Sequence, residues 1–415
     1  MLSSIIMPQS NCLKAVLVLL FVPLFLSAQN TNSPYSRFGF GQLEQQALGK
    51  TKGMGNVGVG MRDRNAINPL NPASISALDT MTMIFDFGVN ASMSTFKESG
   101  LRQDNPNGGL DYVAMKIPLK RWWGVAVGLM PYSKVGYSFI SNGTLPDGTA
   151  FTEASAGSGG LSTFFLGTSV ALWKNLGVGI NYKYYSGLIT QSSGKTFARS
   201  DINPTSASEY WHLNGNSFDV GVQYQHLLNP KNRFVVGLTY SERLPLRNEL
   251  VKTNITTDTN TVSSSSTFEL PRTIGAGVSW VYDDRLTLAV DYRFEQWADA
   301  AFRGVTDSLT NRSQFSIGME YLPSFVTNRY YKAIKYRLGA TYSNSYIGND
   351  VGDLRNLGLT LGFGLPLRGN QRSALNIAFE VGKVLPPRSN MLHETYYKVS
   401  LGMTFNENWF FKRKL

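Results

Sequence analysis

The sequence predicts an all-β protein: a transmembrane antiparallel β-barrel of about 14 strands with an N-terminal plug in its lumen. Three observations predict it. About fourteen stretches alternate apolar with small or polar residues, the connections between them alternate short and long, and a secretory signal stands in front. Neighbouring side chains on a strand point to opposite faces, so each stretch has one oily and one wet face. Closed into a cylinder, such strands put lipid outside and a polar lumen inside.

The signal comes first in the chain. Lys14 precedes an apolar run, Ala15 to Leu26, followed by Ser27-Ala28-Gln29. This is the charged, apolar, small-residue order of a signal peptide, and residues 1–28 are expected to be removed. The run of about 12 residues is too short for a spanning helix, which needs roughly 20. Cys12 is the only cysteine and lies within the signal, so no disulfide or cysteine metal site is expected in the mature chain.

Residues 29–80 are rich in Gly, Asn and Pro and show no period of two. They are expected to form the plug, with the barrel over 81–405 and an aromatic-basic tail over 406–415. In the first strand Met81, Met83, Phe85, Phe87, Val89, Ala91 and Met93 share one face. Later strands are expected near 108–119, 121–139, 161–173, 175–190, 208–228, 231–245, 269–283, 284–298, 312–322, 334–347, 354–367, 372–384 and 395–405. The last is the cleanest: Tyr397, Val399, Leu401, Met403 and Phe405 alternate with Lys398, Ser400, Gly402 and Thr404.

Connections carry independent information. Tight turns at Lys120, Lys174-Asn175, Asn229-Pro230 and Asp283-Asp284-Arg285 oppose long polar loops at 140–160, 190–207 and 246–268. Short turns on the periplasmic side and long loops outside are the asymmetry of outer-membrane barrels. Trp122-Trp123, Tyr184-Tyr185, Tyr330-Tyr331, Tyr396-Tyr397 and Trp409-Phe410-Phe411 sit near strand ends, as aromatic girdles do. Lys and Arg number 39 against 28 Asp and Glu, but they are dispersed, which argues for anionic head groups of outer-membrane lipid and against nucleic acid.

Two motifs stand in the plug. Gly53-Met54-Gly55-Asn56-Val57-Gly58 spells G-x-G-x-x-G, but no strand and helix flank it, so a compact, tight-turning backbone is the better reading. Asn68-Pro69-Leu70-Asn71-Pro72-Ala73-Ser74 contains two Asn-Pro turns. On the wall, Asp86, Lys183, Asp219, Asp291, Arg293, Glu320, Lys335, Arg337, Glu380, Lys383 and Lys398 fall on inward positions, where they are expected to form a lumenal polar network. His212, His226 and His393 fit no metal spacing, and no nucleophile, base and orienter can be assembled. No enzyme activity, cofactor or metal is expected.

Taken together, these residues resemble the outer-membrane long-chain fatty-acid channel family (FadL). The resemblance rests on Asn71-Pro72-Ala73 near the end of the Gly-rich segment and on Gly53-Met54-Gly55. It extends to Trp123-Gly124-Val125-Ala126-Val127-Gly128, Met130-Pro131-Tyr132-Ser133 and Leu270-Pro271-Arg272-Thr273-Ile274-Gly275-Ala276-Gly277. It implies a bacterial outer-membrane barrel of 14 strands with a lumenal plug, of which Asn71, Pro72 and Ala73 would set the geometry. The function it implies is a plugged channel for small hydrophobic molecules. The same barrel type is similar to the shuttle protein of type IX secretion, so the alternative is a non-conducting subunit of a secretion or protein-assembly machine. Its partner contacts would then be Trp409, Phe410 and Phe411.

Overall fold

The computed structural model describes residues 33–79, 82–98, 100–255, 259–264, 266–306, 309–324, 329–348, 352–367, 370–388 and 391–408. The expected signal peptide and the aromatic cluster Trp409, Phe410 and Phe411 lie outside them. No helix among the described residues is long and apolar enough to cross a membrane.

The described residues form one continuous sheet of eighteen strands. Four strands lie off the wall: β1 (Gln42–Leu43), β9 (Leu244–Ile255), β10 (Thr259–Ser264) and β11 (Phe268–Leu270). The other fourteen close into a barrel. They are β2 (Thr82–Glu98), β3 (Leu101–Lys120), β4 (Trp123–Thr144), β5 (Ala150–Ala171), β6 (Leu176–Phe197), β7 (Thr205–Asn229) and β8 (Asn232–Ser241). After the off-wall strands come β12 (Arg272–Tyr282), β13 (Leu286–Gln296), β14 (Arg312–Tyr321), β15 (Lys335–Asn344), β16 (Arg355–Leu367), β17 (Asn370–Leu385) and β18 (His393–Asn408). Each pairs antiparallel with its neighbour, and β18 closes on β2 from His393↔Lys97 to Asn408↔Thr82.

Alternation drives the closure. On β16, Leu357, Leu359 and Leu361 are exposed on the outside while Thr360 is buried inside. Leu238, Val290, Ile317, Leu338 and Leu401 continue this outward apolar band on other strands. The band belongs in lipid, and the fold is that of a bacterial outer-membrane barrel.

Three expectations need correction. The stretches 140–160 and 190–207 are mostly strand, not long loops. β4 and β5 pair from Trp123↔Val170 to Thr144↔Ala150 with one bulge between Pro131 and Ser133, leaving only 145–149 as the turn. These hairpin tops stand beyond the apolar band, where both faces meet water, so they lack the oily-wet alternation that marks a membrane strand. The expected loop 246–268 is also mostly strand. The upper part of β7 outruns β8, and β9 takes its free edge, Ser206↔Ile255 to Asn214↔Arg247. An unpaired edge exposes backbone donors and acceptors, which β9 satisfies.

The aromatic pairs divide as well. Adjacent residues on a strand face opposite ways, so Tyr184 and Tyr397 are exposed outside while Tyr185 and Tyr396 point inward. The final strand runs to Asn408, past the expected limit of 405.

Inside, two groups of side chains fill the cylinder. Toward the tall-hairpin end, Phe40, Trp211, Phe268, Trp297 and Tyr346 are almost fully buried in one aromatic core. The Phe40 ring lies 5.2 Å from Phe302 and 5.8 Å from Trp297. This core roofs the lumen. Below it, residues 47–79 lie against the wall with their main chain. A Cβ on Gly53 would lie 2.8 Å from the Gly362 Cα, and one on Gly60 would lie 2.6 Å from the Val278 amide. Gly55 has φ +65, a conformation that favours glycine, and closes the 3-10 turn Gly49–Met54. Wall glycines answer from the other side: Gly318 faces Met54, Gly339 faces Gly55, and Gly237 faces Val59.

Gly339→Val would drive a side chain into the Gly55 amide. Overpacking of this kind costs about 1–3 kcal/mol. The expected result is a barrel that still forms, judged by heat-modifiable migration on gels, but whose residues 47–60 become open to protease. Unchanged protection would show that the close approach is not what holds the segment.

Candidate functional site in the barrel lumen

The inward positions meet the N-terminal segment through hydrogen bonds to its backbone. A segment without regular structure leaves many amide groups unpaired, and burying them requires partners. The wall supplies them. The Asp291 carboxylate accepts from three successive amides, Gly58, Val59 and Gly60, at 2.5, 2.7 and 3.2 Å. Gln223 donates to the carbonyls of Val59 and Met61, Ser279 to that of Gly60, and Asn181 to that of Pro69. Thr360 accepts from the Gly55 amide. Lys116 is buried, has no ion pair among the described residues, and donates to four carbonyls of the segment, the shortest at 2.7 Å to Ala66.

Asn71 is fully buried and works in both directions. Its Oδ1 accepts from the Ala73 amide at 3.0 Å and starts the 3-10 turn Pro72–Ser76. Its Nδ2 donates to the Val59 carbonyl at 2.9 Å and, at longer range, to Val222 and Leu238 on β7 and β8. Pro72 suits the first position of the turn because its φ is already fixed. The Ala73 carbonyl accepts from Arg62 and Ser169. Asn71, Pro72 and Ala73 therefore join residues 59–62 of the segment to three strands of the wall.

Charged groups pair across the same boundary. Lys50 of the segment pairs with Asp63 and reaches Glu320 at 3.4 Å, and Glu320 holds Arg337 at 2.7 Å. Lys52 pairs with Asp111, and Glu44 with Lys398 and Lys134. Burial would raise the Glu44 carboxyl, but Lys398 and then Lys134 outweigh it and hold it well below the usual range. For Asp63 burial is likewise outweighed, by Lys50 and then Lys335. Asp86 accepts from Tyr112, whose hydroxyl also takes the Gly49 amide. Lys183 pairs with Asp219 within the wall, and Glu380 accepts from Tyr396. Arg293 lines a cavity of about 90 Å³ with Lys183 and Asp219. Sequence reasoning missed Asp111 and Lys116. Asp111 sits in a bulge opposite Gly88 and Val89, which breaks the period of two that would have assigned its face.

The wall has one seam. β3 and β4 pair only from Lys120↔Trp123 to Val113↔Leu129. Beyond that point Pro131 offers no amide, and β3 turns to β2 alone. The vacated edge of β4 is taken by the N-terminal segment. Gln42 pairs with Lys134 and Leu43 with Ser133, the Glu44 amide donates to Tyr132, and Ser33 and Ser36 bond Gly136.

Among the described residues no group of His, Cys, Asp and Glu is placed to hold a metal ion.

The family model of BamG matches residues 12–415. The chain belongs to the BamG family. No curated protein is similar to it in sequence. Its fold is similar to that of the toluene transporter TodX of Pseudomonas putida, with TM-score 0.63, 16% identity, and 89% of this chain and 100% of that one covered. A FadL homologue of Pseudomonas aeruginosa matches with TM-score 0.62 at 10% identity, covering 88% and 99%. The toluene transporter TbuX of Ralstonia pickettii matches with TM-score 0.59 at 14% identity, covering 88% and 100%. At these identities the likeness establishes the fold: this BamG-family chain is a FadL-like barrel.

Two measurements probe the contacts. Glu44 and Asp63 titrate below their ordinary values of 4.5 and 3.8, so their contribution is complete above those values. It is lost as pH falls toward the lowered folded values. A spin label at Gln42 should stay immobile at neutral pH and gain mobility progressively as pH falls below about 4.5 toward the lowered Glu44 value, whereas Glu44→Gln should show mobility at every pH. Asp291→Ala leaves three buried amides without an acceptor and should cost roughly 3 kcal/mol, read as a lower denaturant midpoint. A midpoint equal to wild type would mean that water replaces the carboxylate.

Proposed function

We propose that this protein is a plugged outer-membrane barrel that passes small hydrophobic molecules between the outside and the membrane through the β3–β4 seam. The seam carries the proposal. An interrupted ladder in a barrel wall leaves backbone groups to be paired elsewhere, a cost in lipid that a purely structural cylinder avoids by closing fully. Here the segment that covers the gap is the same one that fills the lumen, so movement of residues 33–46 would uncover the wall. Residues 29–80 act as the plug in this reading, with Asn71, Pro72 and Ala73 fixing its lower part. The names of the similar solved structures, two of them toluene transporters, support the substrate class.

A second reading is favoured by what surrounds the segment. The cavities beside it near Lys183 and near Lys398 hold about 90 and 70 Å³ and are lined largely by charged and polar groups. Small-molecule sites are usually a few hundred Å³ and mostly apolar. A barrel this full suits a non-conducting subunit of an envelope secretion or assembly machine, with the seam as a contact for a partner.

The two readings part on one experiment. The protein is purified from its own outer membrane in mild detergent, and co-purifying proteins and extracted lipophilic compounds are identified together by mass spectrometry. A lone barrel carrying a defined hydrophobic compound supports the channel. A stoichiometric complex with no such compound overturns it in favour of the subunit.

A further inference from the structure

A large cavity among the described residues lies at the short-turn end, which is the periplasmic end of an outer-membrane barrel. It holds about 830 Å³, within the range of sites that take a peptide-sized or drug-sized ligand. Its chemistry is one-sided. Seven cationic side chains face three carboxylates. The carboxylates are already engaged: Asp63 and Glu320 with Lys50, and Asp284 with Arg233 at 2.9 Å. Arg62 donates to Ala73, Ser76 and Gln223 and meets no carboxylate. Arg64, Arg121 and Lys174 are exposed and have no ion pair among the described residues. The Nε of Arg233 is buried with no hydrogen-bond partner. Burial first, and then the positive charges of Arg64 and Arg233, lower Arg62 to about 10. Trp122 and Trp173 stand exposed at the rim.

We propose that this vestibule docks an acidic peptide segment of a periplasmic protein, with the guanidinium and ammonium groups of Arg62, Arg64, Arg121, Lys174 and Arg233 taking its carboxylates and the two tryptophans covering its apolar side chains. Charge complementarity selects the occupant. Arginine forks suit carboxylates, and exposed tryptophans are common anchors at protein interfaces. A lipid head group is the poorer fit. The lining comes from the inward wall, including Ser279, Thr287 and Glu320, and from the N-terminal segment, so the wall stands between this space and the leaflet. The proposal is independent of whether the lumen conducts.

The test uses the full-length barrel in nanodiscs of phosphatidylcholine and a dye-labelled peptide of alternating glutamate and alanine, read by fluorescence anisotropy. The peptide should bind, a lysine-alanine peptide should not, and binding should weaken with salt. The triple variant Arg64→Ala, Arg121→Ala, Lys174→Ala should weaken binding roughly tenfold or more. An equal loss of charge at the opposite rim, Lys97→Ala, Arg102→Ala, Lys195→Ala, should change it less than about twofold. Heat-modifiable migration on gels checks that both variants are folded. Absence of binding to wild type, or equal loss in the two triple variants, overturns the proposal. So does displacement of the peptide by soluble glycerol 3-phosphate at fixed ionic strength, which would assign the vestibule to phosphate head groups.

Discussion

Everything inside this barrel depends on main chain lying against main chain. Gly53 approaches Gly362, Gly55 approaches Gly339, and Gly60 reaches the backbone at Gly277 and Val278. A fourteen-stranded cylinder leaves a lumen that side chains from the wall alone must fill or leave wet. Here much of the wall at this level has no side chain, and the folded-in segment occupies the space instead. The segment lacks regular structure, so its buried amides and carbonyls must find partners on the wall. That requirement explains why Asp291, Gln223, Asn181 and Lys116 bond its backbone rather than one another.

The ion pairs follow from this arrangement rather than creating it. Taking Lys50, Asp63, Glu320 and Arg337 out of water is costly, and buried pairs return that cost only with good geometry. Their contribution is selective. A shifted segment would part Lys50 from Glu320 and Lys52 from Asp111, whereas the glycine contacts alone would tolerate small slips along the wall. Charge therefore sets the register that close approach permits.

The barrel was legible because a membrane strand repeats one rule at every second residue. Strand number, order and facing of Leu357, Leu359 and Leu361 come from that rule alone. The tall hairpins over 140–160 and 190–207 were not legible, since water on both faces removes the contrast. The inward positions of Asp86, Asp291, Glu320 and Arg337 follow from parity, but the partners of Asp291 and Glu320 in the segment do not, because Gly58 and Lys50 reach them across more than two hundred residues. The seam has no local signal either. It exists because a ladder is missing, and only Pro131 hints at it. Tyr185 reads as a strand-end aromatic, yet it belongs to a roof assembled from distant parts of the chain.

The segment is held unequally along its length, and that inequality bears on how such a barrel could work. Residues 47–79 carry most of the glycine contacts, the Asp291 amides, the Lys116 carbonyls and the Asn71 turn. Residues 33–46 hold β4 through a two-residue ladder, a few hydrogen bonds and the Glu44 ion pairs, with Phe40 inserted in the aromatic roof. Elements that move are drawn from the less stable parts of a fold. Uncovering the seam requires only the upper part to leave, with the lower part still in place as a floor. That same floor is the ceiling of the basic vestibule. The periplasmic mouth can therefore keep its shape and charge whatever the upper segment does, so a partner held at one end and a molecule leaving at the other need not compete.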